Sequence, residues 1–104
     1  MRVKTIVRAE GEDHEMKVIQ FTHGNVTLSC GPGKAHYCEA RDGIESPSNA
    51  EMAVWREGQG MERIGDDTVA GWVDLALLPE LLTLLMDGRE PEKKIAKVLA
   101  ERQR

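Results

Sequence analysis

"LALLPELLTLLMDG", residues 75–88, is where the chain changes its period. Leu78, Leu81, Leu82, Leu85 and Met86 fall at i, i+3, i+4, i+7 and i+8, the spacing that lines one side of an α-helix with apolar side chains. Pro79 lacks the N–H that an interior turn donates, so it belongs in the first turn, and the regular helix begins near Leu78. Gly88 is the expected stop. Leu77, Leu81 and Leu84 form a second line at i, i+4 and i+7, so the segment is apolar over more than one docking stripe. Either the sheet and a terminal helix wrap it, or part of it is a groove for self-association or a partner.

Upstream of Val73 the period is two. Segments 2–8, 15–21, 25–30, 35–40, 51–56, 61–64 and 68–73 alternate or are rich in β-forming residues, and breaks at EGED, THGN, GPGK, EGQG and GDD separate most of them. That is the pattern of an antiparallel meander, with residues 41–49 as its one long loop. Downstream, Pro91 opens a second helix with Ile95, Val98 and Leu99 on one side and Lys93, Lys94 and Lys97 largely elsewhere. So narrow a stripe predicts weak docking and fraying. The expected fold is therefore α+β: an antiparallel meander of about five to seven short strands packed against a C-terminal Leu-rich helix, with a short second helix after it. Residues 1–88 form the body of a single domain, and 89–104 are a basic helix or tail of the same domain.

A chain of 104 residues can close one modest core without disulfides or metal, and 40% apolar content is too high for disorder as the default. No apolar run approaches the ~20 residues of a membrane span, and MRVKTIVRAEGEDHE lacks the apolar stretch of a secretory signal. A cytoplasmic location with Cys30 and Cys38 reduced is the expectation. The net charge of −4 is uneven: residues 89–104 carry six Lys/Arg against three Asp/Glu, leaving 15 acidic and eight basic residues in 1–88. An acidic body is repelled by nucleic acid at long range, while Lys93, Lys94, Lys97, Arg102 and Arg104 offer an alternative contact to phosphate or an acidic partner. The plainer reading of that tail is a solvated helix face.

"SCGPGKAHYC", residues 29–38, invites readings as a metal site, a redox pair or a phosphate loop. A hairpin turning on 31–34 would set Cys30 opposite Ala35, Leu28 opposite Tyr37 and Thr27 opposite Cys38. Val26, Leu28, Cys30, Ala35 and Tyr37 then share one face, and Thr27, Ser29, His36 and Cys38 the other. The sulfurs lie on opposite faces, roughly 10 Å apart along the strand, which excludes a disulfide or a shared ion in that register. A wider loop over 31–37 pairs the two cysteines instead and permits a disulfide. His36 and Cys38 remain an alternative metal or thiol site, with His14 or His23 as distant third ligands, but structural zinc sites show tighter ligand pairs. GPGK lacks the P-loop pattern and precedes a strand rather than a helix. Neither a cofactor nor a metal is expected.

Cys38 has His36 as its nearby base and no evident orienting group, and Asp66–Asp67 is explained by a turn, so a non-enzyme is expected. Trp55 has opposite parity to Met52 and Val54, and Trp72 to Val69 and Val73. If the valines face the helix, both indoles lie on the outer side of the sheet, where large aromatics anchor partners. If the other face is the core, they are simply buried.

The stretch Ala50 to Met86, AEMAVWREGQGMERIGDDTVAGWVDLALLPELLTLLM, resembles the strand, turn, strand and leucine-helix ending of small uncharacterised proteins encoded by bacteriophages and related mobile elements. It covers about a third of the chain. The resemblance implies a protein that binds and modulates a host or phage macromolecule, and it transfers no catalytic residues. The expected function is a small acidic protein-interaction module, inhibitory or regulatory and in one form homodimeric, contacting its partner through Trp55, Trp72, Leu77 and Leu84. Nucleic-acid association through the basic tail is the less favoured alternative, and no membrane partner is expected.

Overall fold

The computed structural model describes residues 1–9, 15–31 and 48–102. Five strands, β1 (Arg2–Ala9), β2 (Glu15–His23), β3 (Val26–Gly31), β4 (Asn49–Arg56) and β5 (Ala70–Asp74), form one antiparallel sheet in the order β1-β2-β3-β4-β5. A 3-10 turn, Leu75–Leu77, leads into α1 (Leu78–Leu85), and α2 (Pro91–Arg102) follows. The fold is α+β, as the change of period predicts. No helix among the described residues is long and apolar enough to cross a membrane.

Local chemistry sets the boundaries. His23 pairs with Val26, so Gly24 and Asn25 make a two-residue hairpin with Gly24 at φ 60°. A Cβ built on Gly24 meets nothing within 4 Å, so Gly24→Ala should lose about 1–2 kcal/mol from backbone conformation alone, measured by urea unfolding. Asp74 ends β5 and caps the 3-10 turn, its Oδ1 accepting from the Ala76 N–H at 2.9 Å. Pro79 takes the first turn of α1, as expected. The helix closes at Leu85, ahead of Gly88, through N–H donation from Met86 to Leu82 and from Asp87 to Leu84; Gly88 then turns the chain at φ 83°.

One parity of the sheet supplies the core. Val26, Leu28 and Cys30 of β3, Met52 and Val54 of β4, and Ala70 and Val73 of β5 are buried beneath Leu81 and Leu85 of α1 and Ile95 and Leu99 of α2. Ile64, from the β4–β5 connection, is fully buried with them. The face assigned to Val26, Leu28 and Cys30 from sequence is the observed one.

The strand partner assigned to them is not. Both sides of β3 are occupied, Leu28 lying between Phe21 of β2 and Val54 of β4, and Cys30 between Ile19 and Met52. Residues 26–31 therefore do not carry the expected register against 35–38. Apolar supply explains the choice: at one parity β4 presents Ala50, Met52 and Val54, all fully buried, against Ala35 and Tyr37 in the nearer segment. Ala35, His36, Tyr37 and Cys38 lie outside the described residues.

Two further expectations change. Residues 61–64 contribute isolated bridges, Trp55 to Met61 and Ile64 to Asp67, instead of a strand. The last helix is docked, not frayed: Pro91, Glu92, Ile95, Ala96 and Leu99 are buried, a stripe wider than its large apolar residues suggest. Glu92 is the unexpected member. It is 2% exposed, and the Arg56 guanidinium at the end of β4 grips it twice, through Nε to Oε2 and through Nη2 to Oε1 at 3.0 Å.

Candidate functional site

Both helices pack on the same side of the sheet, and the opposite parity forms a second face with no helix over it among the described residues. Cross-strand register places Ile6, Val18, Ser29 and Ala53 on that face, along with Thr22, Thr27 and Trp55. Thr27 stands between Thr22 and Trp55, and the two threonine hydroxyls are 2.9 Å apart.

Trp55 is half-buried and divides the face into two hollows. On one side lies an apolar hollow of about 270 Å³, lined by Ile6, Val18, Ala53, Met61 and Val69 among others. On the other lies a polar hollow of about 400 Å³, lined by Arg2, Thr22, Asn25, Thr27, Glu57 and Gln59 with the turn at Gly58. An indole suits this position because its ring offers apolar area and its N–H a single donor. The arrangement can seat an apolar side chain beside the ring and a polar group across it.

Trp72 is elsewhere. A shift of register between Ala50 and Met52, and a φ of 52° at Trp72 itself, turn this residue out of simple alternation. It lines a separate hollow of about 230 Å³ with Ser48, Asn49, Asp74 and Arg102, which shares no lining residue with either hollow at Trp55. The two tryptophans thus do not form one patch. Leu77 and Leu84 are half-buried and pack against the core, as do Leu78 and Leu82, whereas Met86 is 49% exposed.

The basic tail is dispersed. Lys93 meets Glu62 at 2.8 Å and Lys94 meets Asp87 at 2.5 Å. The Glu62 hydrogen bond holds the Lys93 ammonium above its ordinary range, and the Lys94 hydrogen bond holds the Asp87 carboxyl below its own. Lys97 is exposed, Arg102 borders the Trp72 hollow, and Arg104 lies outside the described residues.

The acidic residues near Asp66 have structural roles. Arg63 donates to the Asp66 carbonyl at 3.1 Å, Asp67 accepts from the Thr68 N–H at 2.7 Å, and Asp74 caps the 3-10 turn. Among the described residues there is no group of three or more His, Cys, Asp or Glu able to hold a metal ion. Cys30 is 2% exposed within the core, and His14, His36 and Cys38 lie outside the described residues.

Sequence reasoning singled out Trp55 but missed its neighbours Ile6, Val18, Met61 and Val69. Ile6 and Val18 join the face of Trp55 only once β2, β3 and β4 are paired in order, and Met61 and Val69 reach it from the connection between β4 and β5. No family model, curated protein or solved structure matches the chain.

Proposed function

We propose that this protein is a binding module, not a catalyst, and that it engages a partner protein through the sheet face opposite α1 and α2, with Trp55 as the anchor. The observation that carries this reading is the half-buried indole standing between an apolar and a polar hollow. A partner side chain inserted in the apolar hollow would bury Ile6, Val18, Met61 and one face of the ring together, and such central aromatics dominate binding energy. The face carries both signs of charge, Arg2 against Glu51 and Glu57, while the chain's net charge of −4 favours approach of positively charged partners at long range. This fits a small cytoplasmic regulator or inhibitor of the phage-like kind that the sequence resembles. Leu77 and Leu84 contribute less, since each already packs on the core. Nucleic-acid association is less favoured because Lys93 and Lys94 are each matched to a carboxylate.

Capture from a bacterial lysate with wild type and with Trp55→Ala in parallel tests the reading. The variant is expected to lose the captured protein by at least about tenfold while Trp72→Ala retains it, with circular dichroism unchanged. With Trp72→Phe in the background Trp55 becomes the sole indole, and its emission should shift when the captured protein is added back. Equal capture by Trp55→Ala sinks the proposal, and so does a homodimer that needs Trp55 and leaves no other protein bound.

A further inference from the structure

The two edges of the sheet are unlike. β5 is five residues long, shifts register against β4, and carries Trp72 in the left-handed region, all of which spoil a template for another strand. β1 is eight residues long and pairs with β2 without a break from Arg2↔Thr22 to Ala9↔Glu15. Among the described residues its other edge has no strand beside it. Backbone N–H and C=O groups along such an edge seek a partner.

The side chains say which partner. β1 reads RVKTIVRA, with three cations and no carboxylate in a chain whose net charge is −4. Arg2, Val3, Lys4 and Thr5 are exposed, Val3 to 59%. Val3 lies opposite Phe21, which packs against the core, so apolar surface runs from the core to the open edge. A second copy placed antiparallel on β1 with like faces aligned would set cations against cations, which is destabilising across strands. A strand bearing carboxylates would instead neutralise them and cover Val3.

We infer that β1 is a docking strand for an extended acidic segment of another protein, which adds to the sheet as a sixth strand. Addition of this kind takes affinity from backbone hydrogen bonds and selectivity from alternate side chains. A nucleic acid has the charge but lacks the peptide groups that complete the ladder. The inference uses the backbone edge of β1, whose Arg2 and Ile6 also border the Trp55 hollows, and the Trp55 variant below separates the two readings.

The probe is a capped peptide alternating glutamate with valine, about as long as β1. Amide NMR should show shifts concentrated in residues 2–6, and a lysine-for-glutamate peptide should bind about tenfold more weakly or worse. Arg2→Glu combined with Lys4→Glu, both at exposed positions, should reverse that preference while amides of β4 and α2 keep their positions. Trp55→Ala should bind the acidic peptide as wild type does, which separates this test from the previous one. Equal binding of both peptides, shifts away from β1, a preference untouched by the charge reversal, tighter binding of an oligothymidylate at β1, or sedimentation showing copies joined through β1 would each overturn the inference.

Discussion

Replacing Leu99 with alanine is expected to remove about 2–5 kcal/mol of stability, the range for truncating a large aliphatic side chain in a close-packed core. Leu99 is fully buried in the same cluster as Leu28, Val54 and Leu85, although it lies on the last helix. Domains of this kind hold only about 5–15 kcal/mol in total, so the loss takes a large fraction of the margin. Urea unfolding by circular dichroism and by tryptophan emission should show one cooperative transition moved to a lower midpoint. A helix that merely frayed at the C-terminus would leave the midpoint unchanged. That outcome would show that the packing of α2 on β3, β4 and β5 contributes nothing to stability.

The second large effect concerns Arg56 and Glu92. Arg56→Met strands a carboxylate whose side chain is 3% exposed, whereas Glu92→Met leaves a guanidinium that is 32% exposed and can still be hydrated. Arg56→Met is therefore expected to lower Tm roughly twice as far as Glu92→Met, and the double replacement should recover much of the difference because two apolar side chains leave no orphaned charge. Acid sensitivity should divide the variants in the same way. The Arg56 hydrogen bond outweighs burial and holds the Glu92 carboxyl below its usual range. A depressed carboxyl contributes stability that is complete above the unfolded value, near 4.3 by the usual order of magnitude, and is lost as pH falls through the folded one. Wild type should thus lose stability on moving from neutral solution toward about pH 3 more steeply than Glu92→Met does. Parallel slopes would show that the ion pair contributes nothing.

Much of this architecture is legible in residues 75–88 and in the alternation before them. The change of period locates α1, and parity puts Val26, Leu28 and Cys30 inside and sets Trp55 on the face opposite Val54, leaving open which of those two faces of β4 is the core. What alternation does not encode is which strand lies next to which. Residues 35–40 and 49–56 both offer alternate apolar side chains, and the farther segment pairs with β3 because it buries Ala50, Met52 and Val54 together. The docking of α2 is hidden for a different reason. Counting large apolar side chains finds a narrow stripe, but Pro91 and Ala96 widen it and Glu92 joins it through a residue 36 positions earlier. A charge in a helix reads as solvated until its partner is known. Trp72 escapes alternation because the irregular pairing beside it and its own left-handed backbone re-aim the residue.

Strand order that repeats chain order has a kinetic corollary. Strands that are neighbours in the sheet are also consecutive in the chain, so no pairing has to pass over an intervening strand. The β2–β3 hairpin closes over two residues, whereas β4 pairs with β3 across a sequence separation of 17 residues, which costs more closure entropy. The β2–β3 hairpin is thereby expected to form ahead of the β3–β4 pairing.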